Sequence, residues 1–598
     1  MKRLALLLGP LLALGAALSC GGGQTQGSVF DPLWANDDGK GIAAIQRQLA
    51  PAPPPRGVDV AVGVAQEGGR TLIVGAPLRG GEPWTYAHAL DARPAVAGSV
   101  VVGLGRRELF ALDAAKGKLL WKRSVQGRLR AAGDDGRTTV ISLEPRTGRG
   151  SVILAITHDG EVLRQIEDDQ DIGAPAVVGR YAFLPWQGQY VTVLDLLHGG
   201  EAARALLRTE VSHAFSIGGA LFFGGAAVTR VDDKIRLGGQ GRATTVTLPA
   251  RELPGNPRWL NPGTEVFPAR ATALDKTHIY ARPTVTGPAG LADDRFIATY
   301  FRVVTGFDAR SGKLAWVTLG DADIIGGAAY EGGFVLCDER GDVTFLDAAH
   351  GAPSARLSLG RPVRSCVVQA DGIKVPPLPR KEPLLRQLER VVSLPDAELV
   401  AIQRFLLQEL SALPDDEATA TLIQLASQGR GAPALMDAAR AALAERRSGA
   451  RFLLAALERR YDYLASVVHP PPVGPIAAAL AAMKESKAAP LLVAHLLDPA
   501  TSLSDLVQVA EALAALAGPA EVPALRTFFA MYRGMDDASL LPVLVHVAAT
   551  LRRLGAVEIL SRAVTDPWTA DALRDRLTAL DTTAQPSRPS PRPPSGPP

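Results

Sequence analysis

Three cysteines, Cys20, Cys337 and Cys366, are all that 598 residues contain. That number excludes a disulfide-dense scaffold and a four-thiolate zinc site. Aromatic residues are scarce at 5%, and 64 Lys+Arg against 61 Asp+Glu leave a formal net charge of only +3. So small a charge gives no electrostatic ground for nucleic acid as a partner. The chain also lacks a His-Glu-x-x-His sequence, a Cys-x-x-Cys pair, a phosphate-cradling loop and a Gly-x-Ser-x-Gly elbow. Gly239-Gln240-Gly241 lacks the strand–helix context that a nucleotide site needs. The nine histidines are scattered, and His158, His198 and His350 fall in expected turns, where a solvated role is the plain reading. No nucleophile–base pair suggests a hydrolase. What is abundant is apolar residue, at 47%, together with 60 Gly and 45 Pro. A chain of this length and composition is expected to fold as two or three domains with many turns.

The first twenty residues read as an address. Lys2 and Arg3 precede Leu4–Leu18, an almost wholly Leu, Ala and Gly run. At about fifteen residues it is short for a membrane span and suits the apolar part of a secretory signal. It ends in Ala17-Leu18-Ser19-Cys20, which resembles the bacterial lipobox, although Ala17 stands where a large aliphatic residue is usual. The resemblance implies cleavage after residue 19 and acyl chains on Cys20. Two or three such chains anchor a protein stably, at about 0.8 kcal/mol per buried methylene. Residues 20–57 are then expected to be a flexible tether. Gly21 to Gly27 offer little to a strand or helix, and Ala-Pro-Ala-Pro-Pro-Pro-Arg at 50–56 is an extended spacer. By resemblance to enterobacterial sorting, Gly21 after the cysteine implies the outer membrane.

Residues 58–375 repeat. Ala111-Leu112-Asp113-Ala114-Ala115-Lys116-Gly117-Lys118-Leu119-Leu120-Trp121 recurs as Gly306-Phe307-Asp308-Ala309-Arg310-Ser311-Gly312-Lys313-Leu314-Ala315-Trp316. Weaker copies keep Asp195 with Gly199 and Asp347 with Gly351. Fainter ones are Gly80 with Trp84, Asp159-Gly160, and Asp232 with Gly238. The glycines at 80, 117, 160, 199 and 238 are 37, 43, 39 and 39 residues apart. A period near forty, made of short Val/Ile/Phe/Leu runs between Gly and Asp, is the signature of a propeller blade. In each turn Asp can accept backbone amides and Gly can take positive φ. The Trp that follows is expected on the outer strand, docked between neighbouring blades.

The pattern Ala-x-Asp-x-x-x-Gly-x-x-x-Trp resembles the docking motif of the PQQ-like propellers, a family that includes quinone-dependent dehydrogenases and the non-catalytic outer-membrane assembly lipoprotein BamB. The resemblance implies a seven- or eight-bladed β-propeller. The dehydrogenases typically carry an adjacent cysteine pair over the cofactor, which this chain lacks. The expectation is accordingly a protein that is not an enzyme and needs no cofactor. A small ligand or a quinone in the central channel is the alternative. Cys337 and Cys366 can pair as one disulfide in an oxidising compartment or sit as two small buried core residues.

After Val375-Pro376-Pro377-Leu378-Pro379 the strand pattern stops. Leu399, Ile402, Leu406 and Leu410 recur at helical spacing, as do Leu506, Val509, Leu513 and Leu516. Pro395-Asp396 and Pro414-Asp415 are helix starts. Turns at Ser486–Leu492, Leu516–Leu525 and Leu554–Leu560 join successive helices, and 380–580 resembles HEAT-type helical repeats, with a plain helical bundle as the alternative. Residues 581–598, with seven prolines among the last thirteen, read as a solvated or polyproline-II tail. The combined expectation is a lipid-anchored scaffold at the periplasmic face of the outer membrane. Its expected partner is an envelope or outer-membrane protein complex.

Overall fold

The computed structural model describes residues 57–206 and 277–582, apart from short interruptions, and only isolated strands elsewhere. Two compact units divide near residue 384.

The first unit is built of separate antiparallel sheets, each formed from strands consecutive in the chain. Ala95–Ala97, Val100–Gly105, Glu108–Asp113 and Leu119–Ser124 form the second sheet. Arg128–Asp134, Thr138–Glu144, Ser151–Thr157 and Val162–Asp168 form the third. Ala176–Val178, Tyr181–Trp186, Tyr190–Asp195 and Glu201–Leu206 form the fourth. A two-stranded piece (His213–Ile217, Ala220–Gly224) and a three-stranded piece (Val228–Val231, Lys234–Leu237, Thr244–Thr247) follow. Thr277–Pro283, Leu291–Tyr300, Val303–Asp308 and Leu314–Leu319 form the penultimate sheet. Ile324–Tyr330, Gly333–Asp338, Asp342–Asp347 and Pro353–Ser358 form the last.

The first sheet departs from this rule. Val60–Glu67, Arg70–Pro77 and Trp84–Ala87 take as their fourth strand Ser365–Gln369, with Val60 opposite Gln369 and Val64 opposite Ser365. Polar side chains fasten this junction. Gln369 donates to the carbonyls of Val58 (2.8 Å) and Gly98 (2.6 Å), and the Gly372 amide donates to Asp59 at 2.8 Å.

The sheets meet through their leading strands. Those at 95–97, 128–134, 176–178 and 213–217 touch in succession, as do those at 277–283, 324–330 and 365–369, and 365–369 touches 95–97. Strands that approach one another so closely need small residues, and these carry Ala95, Ala97, Ala131, Ala176, Gly326 and Gly327. A Cβ at Gly326 would overlap the Cys366 carbonyl of the neighbouring strand. Between sheets the core is continuous. Val100, Val102 and Leu104 of the second sheet pack with Ile141, Leu143, Leu154 and Ile156 of the third, all at most 3% exposed.

One segment behaves unlike its sequence. Gln24–Gln26, in the stretch expected to be structureless, pairs in parallel with Val162–Asp168. The physical reason is on the other side of the pair. The outer strand of a sheet offers a row of open backbone groups that an extended segment can satisfy whatever its side chains.

The second unit is helical: α1 (Leu384–Val392), α2 (Val400–Ala412), α3 (Asp416–Ser427), α4 (Pro433–Ala444), α5 (Ala450–Glu458), α6 (Val473–Ala482), α7 (Ala489–Leu496), α8 (Leu503–Leu516), α9 (Val522–Tyr532), α10 (Leu541–Arg553), α11 (Val557–Thr565) and α12 (Asp571–Thr582). From α2 onward they stack in two rows. α2, α4, α6, α8, α10 and α12 each pack on the next of their row, while α3, α5, α7 and α9 form the other. Leu399, Ile402, Leu406 and Leu410 are all buried, as are Leu506, Val509 and Leu513. Asp396 and Asp415 cap the helix starts, each accepting the amide two residues on at 3.0 Å. Helix α12 runs to Thr582, two residues into the stretch read as tail. No described helix is long and apolar enough to cross a membrane.

Candidate functional site: the inter-sheet seams

The residues singled out in the sequence assemble at the seams between neighbouring sheets. Asp113 accepts the amides of Ala115 (2.9 Å) and Lys116 (2.8 Å), and Gly117, at φ 66°, closes the turn onto the Asp113 carbonyl. Asp195 accepts from Leu197 and His198. Asp308 accepts from Ser311, and Asp347 accepts from His350 at 2.8 Å. Gly199 and Gly351, at φ 75° and 67°, close their turns as Gly117 does. Gly312, Asp232, Gly238 and Cys20 lie outside the described residues. The motif carboxylates are thus engaged with backbone, which is a structural role.

Three of these turns, at Gly117, Gly199 and Gly351, seat a side chain of the preceding sheet. Trp84 lies on Gly117 and donates its indole N–H to the Ala114 carbonyl at 3.0 Å. Trp316 lies on Gly351 and donates to the Ala348 carbonyl at 2.9 Å. In both places a Cβ on the glycine would overlap the ring. Trp121, which pairs across its hairpin with fully buried Ala111, lies on Gly160. There the turn is one residue shorter, closing from Gly160 to Thr157 rather than over five residues. The buried Trp121 N–H has no acceptor among the described residues.

The next seam holds a residue that sequence reading missed. Arg164 stands opposite Ala155 in the register where Trp121 stands opposite Ala111. Its guanidinium lies on Gly199 and donates to the Leu197 carbonyl at 2.5 Å. A planar cation replaces the indole and keeps both the flat contact and the hydrogen bond. No residue-type search for Trp finds it; the register does. Gly80 marks the opposite exception. It belongs to the periodic set, yet no described residue lies within 4 Å of a Cβ built on it, and Ala355 occupies the register position of Trp in the sheet before it.

Two further groups tie sheets together. Cys337 of the last sheet and Cys366 of the strand completing the first are disulfide-bonded, with Cα atoms 6.4 Å apart. Replacing both with serine should remove about 2–4 kcal/mol of stability from the β unit, as expected for a loop of this length. The check is a urea titration of the double variant beside the oxidised and reduced parent.

Asp134, wholly buried, accepts from the Ser99 amide and hydroxyl (both 2.9 Å), Thr139 Oγ1 (2.9 Å) and His158 Nε2 (2.7 Å). It joins the second and third sheets, and Asp135 reaches the fourth through the Gly179 amide at 2.7 Å. The hydrogen bond that its ring N–H donates to Asp134 holds the half-buried His158 above its ordinary value of 6.5, against burial, with Asp135 and Asp113 adding to it. Since the folded value is the higher one, this contribution is complete below pH 6.5 and is lost as pH rises through the folded value. His158→Asn should flatten that part of the stability curve, read from urea midpoints between about pH 6 and 9. His198, by contrast, is largely exposed beside Asp195.

Residues 70–257 match the family model of the outer membrane protein assembly factor BamB. No curated protein matches the chain. Among solved structures, BamB from Moraxella catarrhalis is 16% identical, covering 51% of this chain and 84% of its own at a TM-score of 0.25. Apo AztD from Citrobacter koseri is 10% identical, covering 53% of this chain and 100% of its own at a TM-score of 0.30. The computationally designed Ika8 protein is 13% identical, covering 47% and 91% at a TM-score of 0.26.

Proposed function

We propose that this chain is a non-enzymatic scaffold of the bacterial envelope, held to the periplasmic face of the outer membrane by acyl chains on Cys20 and serving an outer-membrane protein complex. The match of residues 70–257 to an outer-membrane assembly factor is the observation that carries the reading. Two features support it. The repeated carboxylates act on backbone turns, and the two-row helical unit, HEAT-like in its stacking, presents extended faces suited to a protein partner.

The test is crosslinking in intact envelopes. A recovered outer-membrane protein complex is expected, and recovery of the free chain alone would count against the scaffold. Cys20→Ala should move the protein out of the membrane fraction; unchanged association removes the anchor from the proposal. Thermal stabilisation by PQQ with calcium would favour the alternative, a ligand site in the hub.

A further inference from the structure

Three large apolar side chains stand far out of the helical unit at one place: Met531 is 63% exposed, Met535 50% and Trp568 83%. Met531 lies at the end of α9, Met535 on the loop after it and Trp568 on the loop before α12, and these segments hold each other. Arg533 pairs with Asp566, the Ala570 amide donates to the Arg533 carbonyl at 3.0 Å, and a Cβ on Gly534 would come 2.7 Å from the Trp568 carbonyl. The indole is therefore presented on braced backbone. A fixed, exposed Trp whose carbonyl lies against Gly534, between Met531 and Met535 in the chain, has the composition of a binding hot spot. Exposed acidic side chains stand close by in the chain, Asp536 on the loop after α9 and Asp575 within α12.

The chain itself supplies a ligand of matching chemistry. Residues 583–598 contain seven prolines, two arginines (Arg588 and Arg592) and no acidic side chain. Proline-rich sequence is predisposed to polyproline II, which aromatic surfaces recognise at low entropic cost, and arginines flanking the prolines suit an acidic rim. The reach is sufficient. Helix α12 starts beside Trp568 and carries the chain about 18 Å away over its twelve residues. About six extended residues, at roughly 3.1 Å each, cover that distance back. We propose that Pro589–Pro594 of this same chain lies across Trp568, Met531 and Met535, with Arg588 and Arg592 facing Asp536 and Asp575.

The test places the photo-reactive p-benzoylphenylalanine at position 568 of the full chain. The expected product is a monomeric adduct whose mass spectrum joins position 568 to a peptide within 583–598. A dimer-sized adduct to the same peptide overturns the intrachain assignment in favour of exchange between copies. An adduct elsewhere, or none, overturns the proposal. In a second measurement, synthetic peptide 583–598 is titrated into a chain ending at Thr582. Binding is expected, and Trp568→Ala should weaken it at least about tenfold, the loss that a hot-spot truncation brings. Equal binding to both chains overturns the site. The exposed position of Trp568 keeps that substitution from disturbing the helical core.

Discussion

Trp316→Ala is expected to lower the stability of the β unit by about 3–5 kcal/mol, the range for removing a fully buried large aromatic. The ring is 0% exposed. It packs with Tyr280, Ile297 and Val304 of its own sheet and with Phe334, Leu336 and Leu346 of the last, so its loss opens a cavity at the seam rather than inside one sheet. The Ala348 carbonyl also loses its donor. Gly351→Ala attacks the same contact from the other side. At φ 67° a side chain is strained, and the new Cβ collides with the Trp316 ring. A sharper comparison uses phenylalanine at three seams. Trp84→Phe and Trp316→Phe each lose an indole hydrogen bond worth about 1 kcal/mol, whereas Trp121→Phe removes an N–H that has no acceptor among the described residues. The Trp121 variant should be the least affected of the three in guanidinium midpoints. Equal losses at all three seams would show that turn length does not govern the hydrogen bond.

Arg446→Met is expected to cost the helical unit about 3–5 kcal/mol, because three carbonyls and a hydroxyl lose their donor together and each buried acceptor left unpaired costs about 1–3 kcal/mol. Arg446 is 3% exposed and lies just after α4. Its guanidinium donates to Thr419 Oγ1 at 2.9 Å and to the carbonyls of Ser411, Leu413 and Asp415. Those carbonyls belong to the end of α2 and the turn into α3, where helix geometry leaves acceptors without partners. One side chain from beyond α4 therefore closes the α2–α3 turn. Burial pushes its pKa down, with Asp416 and Asp415 opposing. The group stays charged, because an arginine does not deprotonate in proteins. Arg446→Lys offers a point charge in place of a planar fork and should recover only part of the loss. Denaturation followed by far-ultraviolet circular dichroism at the helical minimum, which weights helix over strand, reads both variants.

What the sequence disclosed and what it hid divide along a physical line. The Asp113 and Asp347 turns were legible because a short polar side chain and a glycine at fixed spacing have few alternatives. The helices were legible because apolar residues at helical spacing, as at Ile402, Leu406 and Leu410, need a buried stripe. Arg164 was not legible, since its role is defined by the residue opposite it and the glycine below it. The completion of the first sheet by Ser365–Gln369 was equally hidden, because no local pattern records a pairing between segments so distant in the chain. The disulfide sits at that same junction, so a residue-by-residue reading left its pairing open.

That junction also sets an order of events during biosynthesis. A chain made from its amino end must carry Val60–Glu67 with one side of its backbone unsatisfied until Ser365–Gln369 arrives. Copies interrupted before that point retain a raw edge and an unpaired Cys337, so unfinished molecules differ chemically from finished ones and are open to capture by holdases and proteases.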